Sequence, residues 1–188
     1  LNATYNWDLM LPTYTGVTAT DEQKAEVAKL MYNVGAALQS DYTPSGTGAT
    51  DVDVVPTLVR YFNYDPGARY VQRDYTAVNF YEQGLINEIE AGRPVPYGGV
   101  TKKNDGHFFV LDGINEDGYS HINWGWGADN GYFDITILSP GENFIRYNIR
   151  NIAILGIVPN KAQDKQPSFE YDRMVVSDIS DFVRSVRE

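Results

Sequence analysis

Two side chains in this sequence have types and spacing that could do chemistry together. His107 heads the run HFFVLDG (107–113), and Asn123 lies sixteen residues later inside SHINWGWGADNGYF (120–133). A His that works as a general base must be held in one tautomer and one orientation. A neutral amide oxygen accepting from one ring N–H does both. An Asp in that place would raise the imidazole pKa further, whereas an amide suffices when the nucleophile is already acidic, as a thiol is. Trp124, beside the amide, could cover the His–Asn hydrogen bond and keep water from it. His107, Asn123 and Trp124 therefore read as the His/Asn half of a Cys-His-Asn hydrolase.

Blander readings use the same residues. A lone His at the head of a strand is commonly structural, and Asn-Trp-Gly-Trp-Gly could be a turn with packed indoles. Trp126 and Tyr132 could form a platform on which a sugar stacks. His121 shares a strand face with Asn123 and competes with His107 for the part of the base. Asp105, His107, Asp112 and His121 can be drawn as a metal site, but their spacing matches no metal motif, so no metal and no cofactor is expected.

The elements that must position these groups follow from pattern. HFFVLDG and YSHINW (119–124) are joined by the short turn INEDG and should form a hairpin. If Asp112 pairs with Gly118, the ladder sets His107 opposite Asn123. PVPYGGV (94–100), GYFDITIL (131–138) and NIAILGIVP (151–159) read as further strands between Gly, Asn and Asp turns.

Upstream, residues 1–19 read as an extended arm. Thr20 with Gln23 resembles a capping box, and Val27, Leu30, Met31, Val34 and Leu38 recur at helical spacing, so 21–38 should be a helix. DYTPSGTGATD (41–51) reads as a loop. Residues 52–62 should form a second helix, with Pro56 tolerable in its first turn, and 77–91 a third that ends at Gly92. Helices first and an antiparallel sheet second is an α+β layout. The domain should occupy 1–159. The polar stretch 160–188, with its amphipathic end Met174–Val186, should be a linker and tail.

The totals agree with this. With 188 residues, 43% hydrophobic and 21% charged, the chain can build a globular core. A net charge of −10, with no Lys/Arg cluster along the sequence, argues against a nucleic-acid partner. No apolar run approaches the ~20 residues of a membrane span. The chain starts at Leu1 without a signal peptide or initiator Met, which suggests a processed product or a fragment. Its 188 residues contain no Cys, so disulfides, thiolate metal sites and an internal Cys nucleophile are excluded.

The order and spacing of several segments resemble the C-terminal part of the streptopain-type, papain-like cysteine peptidases of the bacterial C10 family. The segments are YNWDLMLPTYTG, MYNVGAALQSDYTPSGTGA, GRPVPYGGV, DGHFFVLDG, SHINWGWGADNGYF and AILGIVP, and together they span residues 4–159. The resemblance implies a papain-like fold and peptide or protein substrates, with a bulky apolar residue preferred two positions before the scissile bond. It implies His107 as the catalytic base, Asn123 as the residue that orients it and Trp124 as the adjoining indole. Gly106 and Trp126 would line the substrate site, and Ser45, Gly46, Thr47 and Gly48 would form a substrate-binding loop. This sequence has Gly46 and Gly48 where the family carries Ser.

In that family the catalytic Cys lies on a helix upstream of the Tyr-Asn-Trp segment, a helix absent from these residues. The resemblance thus implies a companion chain of a nicked enzyme, or a preceding segment, that carries the Cys. It also implies a secreted or cell-surface bacterial zymogen. A different class of function, an inactive peptidase-like module that binds peptide or glycan, would also account for the missing Cys.

Overall fold

The computed structural model describes residues 3–14, 16–126, 130–140 and 145–161, so nearly all of the expected tail lies outside the described residues. The chain forms two compact units, Leu1–Asn63 and Tyr64–Glu188.

In the first unit the N-terminal arm is tied down by polar side chains. The Asn6 N–H donates to Glu26 Oε1 at 2.8 Å, and Asn33 Nδ2 donates to the Tyr5 hydroxyl at 2.9 Å. Helix α1 (Asp21–Ala37) starts as expected. The Gln23 N–H donates to Thr20 Oγ1, and the Thr20 N–H donates back to Gln23 Oε1, which satisfies two orphan donors of the first turn.

The expected loop after α1 is instead a tight hairpin. Strands β1 (Asp41–Thr43) and β2 (Gly46–Gly48) pair in antiparallel register around Pro44 and Ser45. The Thr43 hydroxyl donates to the Gly46 carbonyl at 2.7 Å and closes the turn. Tyr42 packs on α1 at Gly35, where a Cβ would overlap its hydroxyl. Helix α2 (Val54–Phe62) carries Pro56 in its first turn, where no intrahelical donor is lost. Asn63, at φ 56°, ends it in the left-handed region.

The second unit contains the sheet. Strand β3 (Arg69–Gln72) is followed by helix α3 (Val78–Glu90). The remaining strands are β4 (Val95–Val100), β5 (Gly106–Ile114), β6 (Ser120–Asn123), β7 (Gly131–Phe133) and β8 (Ile149–Leu155). They form one antiparallel sheet in the order β3-β8-β4-β5-β6-β7. Helix α3 ends in a Schellman motif, with Arg93 N–H on the Glu88 carbonyl, Gly92 N–H on the Ile89 carbonyl and Gly92 at φ 71°.

The same turn brings Arg93 onto the Glu88 carboxylate at 2.6 and 3.1 Å. That pairing holds the largely buried carboxyl below its ordinary pKa against the opposing effect of burial. The core lies between α3 and one face of the sheet. Tyr81 and Leu85 of α3 meet Val95, Tyr97, Phe109, Leu111, Ile122, Trp124 and Leu155.

Three strands differ from expectation. Strand β3 carries no sequence signal, because RYVQ offers only four residues and no clean alternation. Strand β7 stops at Phe133 rather than running on to Leu138. The Asp134 carboxylate accepts from both the N–H and the hydroxyl of Thr136, which turns the chain out of the ladder. Strand β8 ends at Leu155 because Gly156, at φ 73°, bends the backbone away.

The hairpin register also needs correction. His107 pairs with Gly99 on β4, and Asn123 pairs with Val110 rather than with His107. The turn lies two residues further along the chain than expected, with Ile114 opposite Ser120, and an irregularity between Leu111 and Gly113 shifts the ladder once more.

Asn151 is the polar clamp of this unit. Its side chain is 1% exposed, and its amide donates to the Gly98 carbonyl at 3.2 Å and the Tyr147 carbonyl at 2.8 Å. Asn151→Ala should therefore lower unfolding free energy by about 2–4 kcal/mol, since two acceptors lose a buried donor. Asn151→Asp should cost at least as much at neutral pH, because a carboxylate cannot donate. Urea denaturation of the three proteins tests this, and a change below about 0.5 kcal/mol would contradict it.

Candidate active site

The site is built at the start of β5. His107 is half-buried, and its Nε2 lies 2.8 Å from the backbone oxygen of Trp124. A carbonyl oxygen can only accept, so Nε2 carries the proton and donates, and the lone pair of the neutral ring resides on Nδ1. Burial pushes the imidazole pKa down, and the hydrogen bond to Trp124 only partly offsets this. The ring is thus a neutral base at pH 7, with a fixed tautomer and an unprotonated nitrogen.

The carbonyl that sets this tautomer is itself held. Asn123 Oδ1 accepts from the Gly125 N–H at 2.9 Å, an Asx-turn that Gly125 completes at φ 76°. The Trp124 N–H donates to Asn130 Oδ1 at 3.2 Å. In this structure the Asn123 amide therefore shapes the turn that presents the Trp124 carbonyl, rather than touching the imidazole itself.

Aromatic rings wall the imidazole. Trp126 lies over it with centroids 4.1 Å apart and planes 20° apart. Trp124 lies nearly parallel at 6.3 Å, fully buried against Phe109 and Phe133. Phe109 and Tyr147 approach the ring at 5.9 and 5.5 Å. Tyr147 reaches it because its backbone crosses β4 directly over Gly99, the residue paired with His107. A Cβ there would collide with the Tyr147 carbonyl and the Asn151 amide. Gly99 of PVPYGGV is thus explained by this close approach, and at Gly98 a Cβ would instead meet the Phe108 ring. Sequence reasoning missed the Trp124 carbonyl and Tyr147, and only the Gly-Gly pair signalled that a segment crosses there.

The other predicted residues are placed as follows. Gly106 is exposed beside His107, and a Cβ there would meet only Val100 at an ordinary 3.8 Å, so packing within the chain does not require glycine. Ser45, Gly46, Thr47 and Gly48 form the exposed tip and second strand of the β1–β2 hairpin in the first unit. The competing His121 is paired elsewhere, with Nδ1 2.5 Å from Asp112 Oδ1 and its ring edge-on to Tyr132. Among the described residues no three His, Cys, Asp or Glu side chains converge on a metal-sized site, and no helix is long and apolar enough to cross a membrane.

The peptidase C10 family profile matches residues 1–133. Streptopain of Streptococcus pyogenes is 34% identical over 161 residues, covering 82% of this chain and 40% of streptopain. The thiol protease/hemagglutinin PrtT of Porphyromonas gingivalis is 32% identical over 140 residues, covering 74% of this chain and 16% of that protein. The chain thus spans well under half the length of these relatives. Among solved structures, active interpain A cysteine protease of Prevotella intermedia superposes with a TM-score of 0.72 at 31% identity, covering 81% of this chain and 64% of that one. A prointerpain A fragment from the same organism gives 0.69 at 34% identity, covering 83% and 49%.

The imidazole environment makes a titration prediction. In the chain by itself, the His107 Hε1 resonance should titrate with a midpoint below 6.5. Trp126→Ala should raise that midpoint by uncovering one ring face to water. Because the folded pKa is the depressed one, His107 contributes stability that is complete above the unfolded value. That contribution is lost as pH falls through the lowered folded value. A midpoint above 6.5, or one that Trp126→Ala lowers, would contradict this description.

Proposed function

This chain belongs to the peptidase C10 family, and from that premise we propose that it is the His-bearing part of a cysteine endopeptidase. The nucleophilic Cys lies outside these 188 residues, in a preceding segment or a companion chain of a nicked enzyme. The observation that carries the reading is the proton placement on His107, with Nε2–H on the Trp124 carbonyl and a free lone pair on Nδ1.

In this mechanism His107 Nδ1 takes the thiol proton, giving a thiolate–imidazolium pair. The thiolate adds to the peptide carbonyl. The imidazolium then protonates the leaving amine, and a thioester remains on the Cys. His107 next draws a proton from water, and the hydroxide attacks the thioester. The acid product departs as the Cys regains its proton.

Asn123 is a positioning residue that acts through its turn, which presents the Trp124 carbonyl to the base. The indoles of Trp124 and Trp126 exclude water from the pair and, with Gly106, shape the substrate site. The Ser45–Gly48 turn contacts substrate backbone. Bacterial relatives support a bacterial source, and secretion as a zymogen belongs to the same proposal, which the prointerpain A relative supports.

A second reading keeps the fold and drops the chemistry. Trp126 is 49% exposed and Tyr132 57% exposed, which suits a module that stacks peptide or glycan. The two readings part on one measurement. In enzyme that contains the Cys-bearing part, His107→Ala should lower kcat/KM for peptide hydrolysis by roughly 10³-fold or more. His121→Ala should leave it within a few-fold. Absence of hydrolysis and of labelling by an epoxide thiol-protease inhibitor in the unaltered enzyme would favour the binding module. Loss with His121→Ala but not with His107→Ala would move the base to His121. Intact mass spectrometry of the native enzyme should also detect the Cys-bearing polypeptide.

A further inference from the structure

Lys102 and Lys103 are adjacent and Arg146 lies far from them along the sequence, yet the fold gathers all three around one pocket of ≈ 560 Å³. Three cations face a single lining carboxylate, Asp105, in a chain whose 25 acidic residues outnumber its 15 Lys and Arg. A fourth cation, Arg150, hydrogen-bonds Asn104 at the tip of the same turn. Local charge is thus opposite in sign to that of the chain.

The pocket is built on fixed parts. The turn carrying both lysines is closed by Thr101, whose hydroxyl accepts from the N–H groups of Lys103 and Asp105, each at 3.2 Å. Thr101 is itself buried. The opposite wall, Arg146 and Tyr147, is held through the Tyr147 carbonyl by the buried Asn151 amide. Tyr147 and Ile145 give the pocket an apolar floor. The Asp105 carboxylate lies close enough to add, after burial, to the upward shift of the Tyr147 phenol.

Tyr147 also ties the pocket to the base, since its ring stands 5.5 Å from that of His107. An extended peptide advances ~3.3 Å per residue, so a pocket one ring away serves a side chain within a few positions of the reacting bond.

We propose that this pocket seats a substrate carboxylate side chain, with Lys102, Lys103 and Arg146 selecting Asp or Glu close to the scissile bond. The methylenes of the Glu or Asp lie on Tyr147 and Ile145, and the carboxylate meets the cationic rim. Asp105 opposes this selection and keeps it from becoming indiscriminate anion binding. The inference rests on the peptidase reading and adds to it a substrate class.

The test uses the enzyme with its Cys-bearing part and peptides amidated at the C-terminus, with free-acid versions of the same peptides as a separate arm. Each pair of peptides differs only by Glu against Gln at one position flanking the cleaved bond. At low salt one position should favour Glu in kcat/KM by roughly three- to tenfold, and the ratio should shrink with added salt. The triple variant K102Q/K103Q/R146Q should bring the Glu/Gln ratio to about one, and Asp105→Asn should raise it. A ratio near one at every position, or a preference that survives the triple variant, overturns the proposal. So does a preference for free over amidated C-termini without Glu/Gln discrimination, which would assign the pocket to a terminal carboxylate. If no peptide is cleaved, the peptidase reading fails. Fluorescence anisotropy of the same pairs then decides the pocket separately: tighter Glu binding upholds it and equal binding overturns it.

Discussion

Because a peptide carbonyl can accept but never donate, the contact between His107 Nε2 and the Trp124 oxygen places the ring proton. That one assignment gives the imidazole a direction, with Nδ1 as its basic atom. Much of the second unit can be understood as support for it. The Asx-turn of Asn123 and the Asn130 amide hold Trp124 at both ends of its peptide. The buried indole packs against Phe109 and Phe133, so the carbonyl is carried by the core rather than by a free loop.

The opposite side of the ring depends on a second constraint, the absence of side chains in the middle of β4. Gly99 lets the chain at Tyr147 pass across the strand, and Asn151 fastens it there. Tyr147 then serves twice, as a wall of the imidazole and as a floor of the cationic pocket. Partial exclusion of water lowers the imidazole pKa in this chain. A thiolate nearby would oppose that shift by favouring the imidazolium. The environment is therefore suited to a ring that is neutral alone and charged in company, which is what a Cys–His pair requires.

How much of this was legible in the sequence depended on whether the controlling interaction was local. The capping box at Thr20 and Gln23, the helix stop at Gly92 and the strand alternation of β5 are written in neighbouring residues, and they read correctly. So did the α+β order and the family likeness, because HFFVLDG and NWGWG are specific strings. The register of the β5–β6 hairpin departs from expectation mainly because its turn lies further along the chain than the Gly and Asp residues suggest. An irregularity between Leu111 and Gly113 then shifts the ladder by one residue, which alternation does not reveal. The hairpin at Asp41–Gly48 has the sequence of a loop because its glycines and proline mask two three-residue strands. The shortening of β7 came from a single side chain, Asp134, competing for the backbone. The partnership of Lys102 and Lys103 with Arg146 had no sequence signal, because it is made by the chain crossing Gly99.

The central claim is that His107 is the base for a thiol supplied from outside these residues. Its most direct test is the pH dependence of alkylation of the reactive Cys in the assembled enzyme, compared with the His107→Ala form. The account predicts fast alkylation persisting well below the ~8.5 of a free thiol, and its collapse to ordinary thiol behaviour in His107→Ala. Identical pH–rate profiles for the two proteins would contradict it.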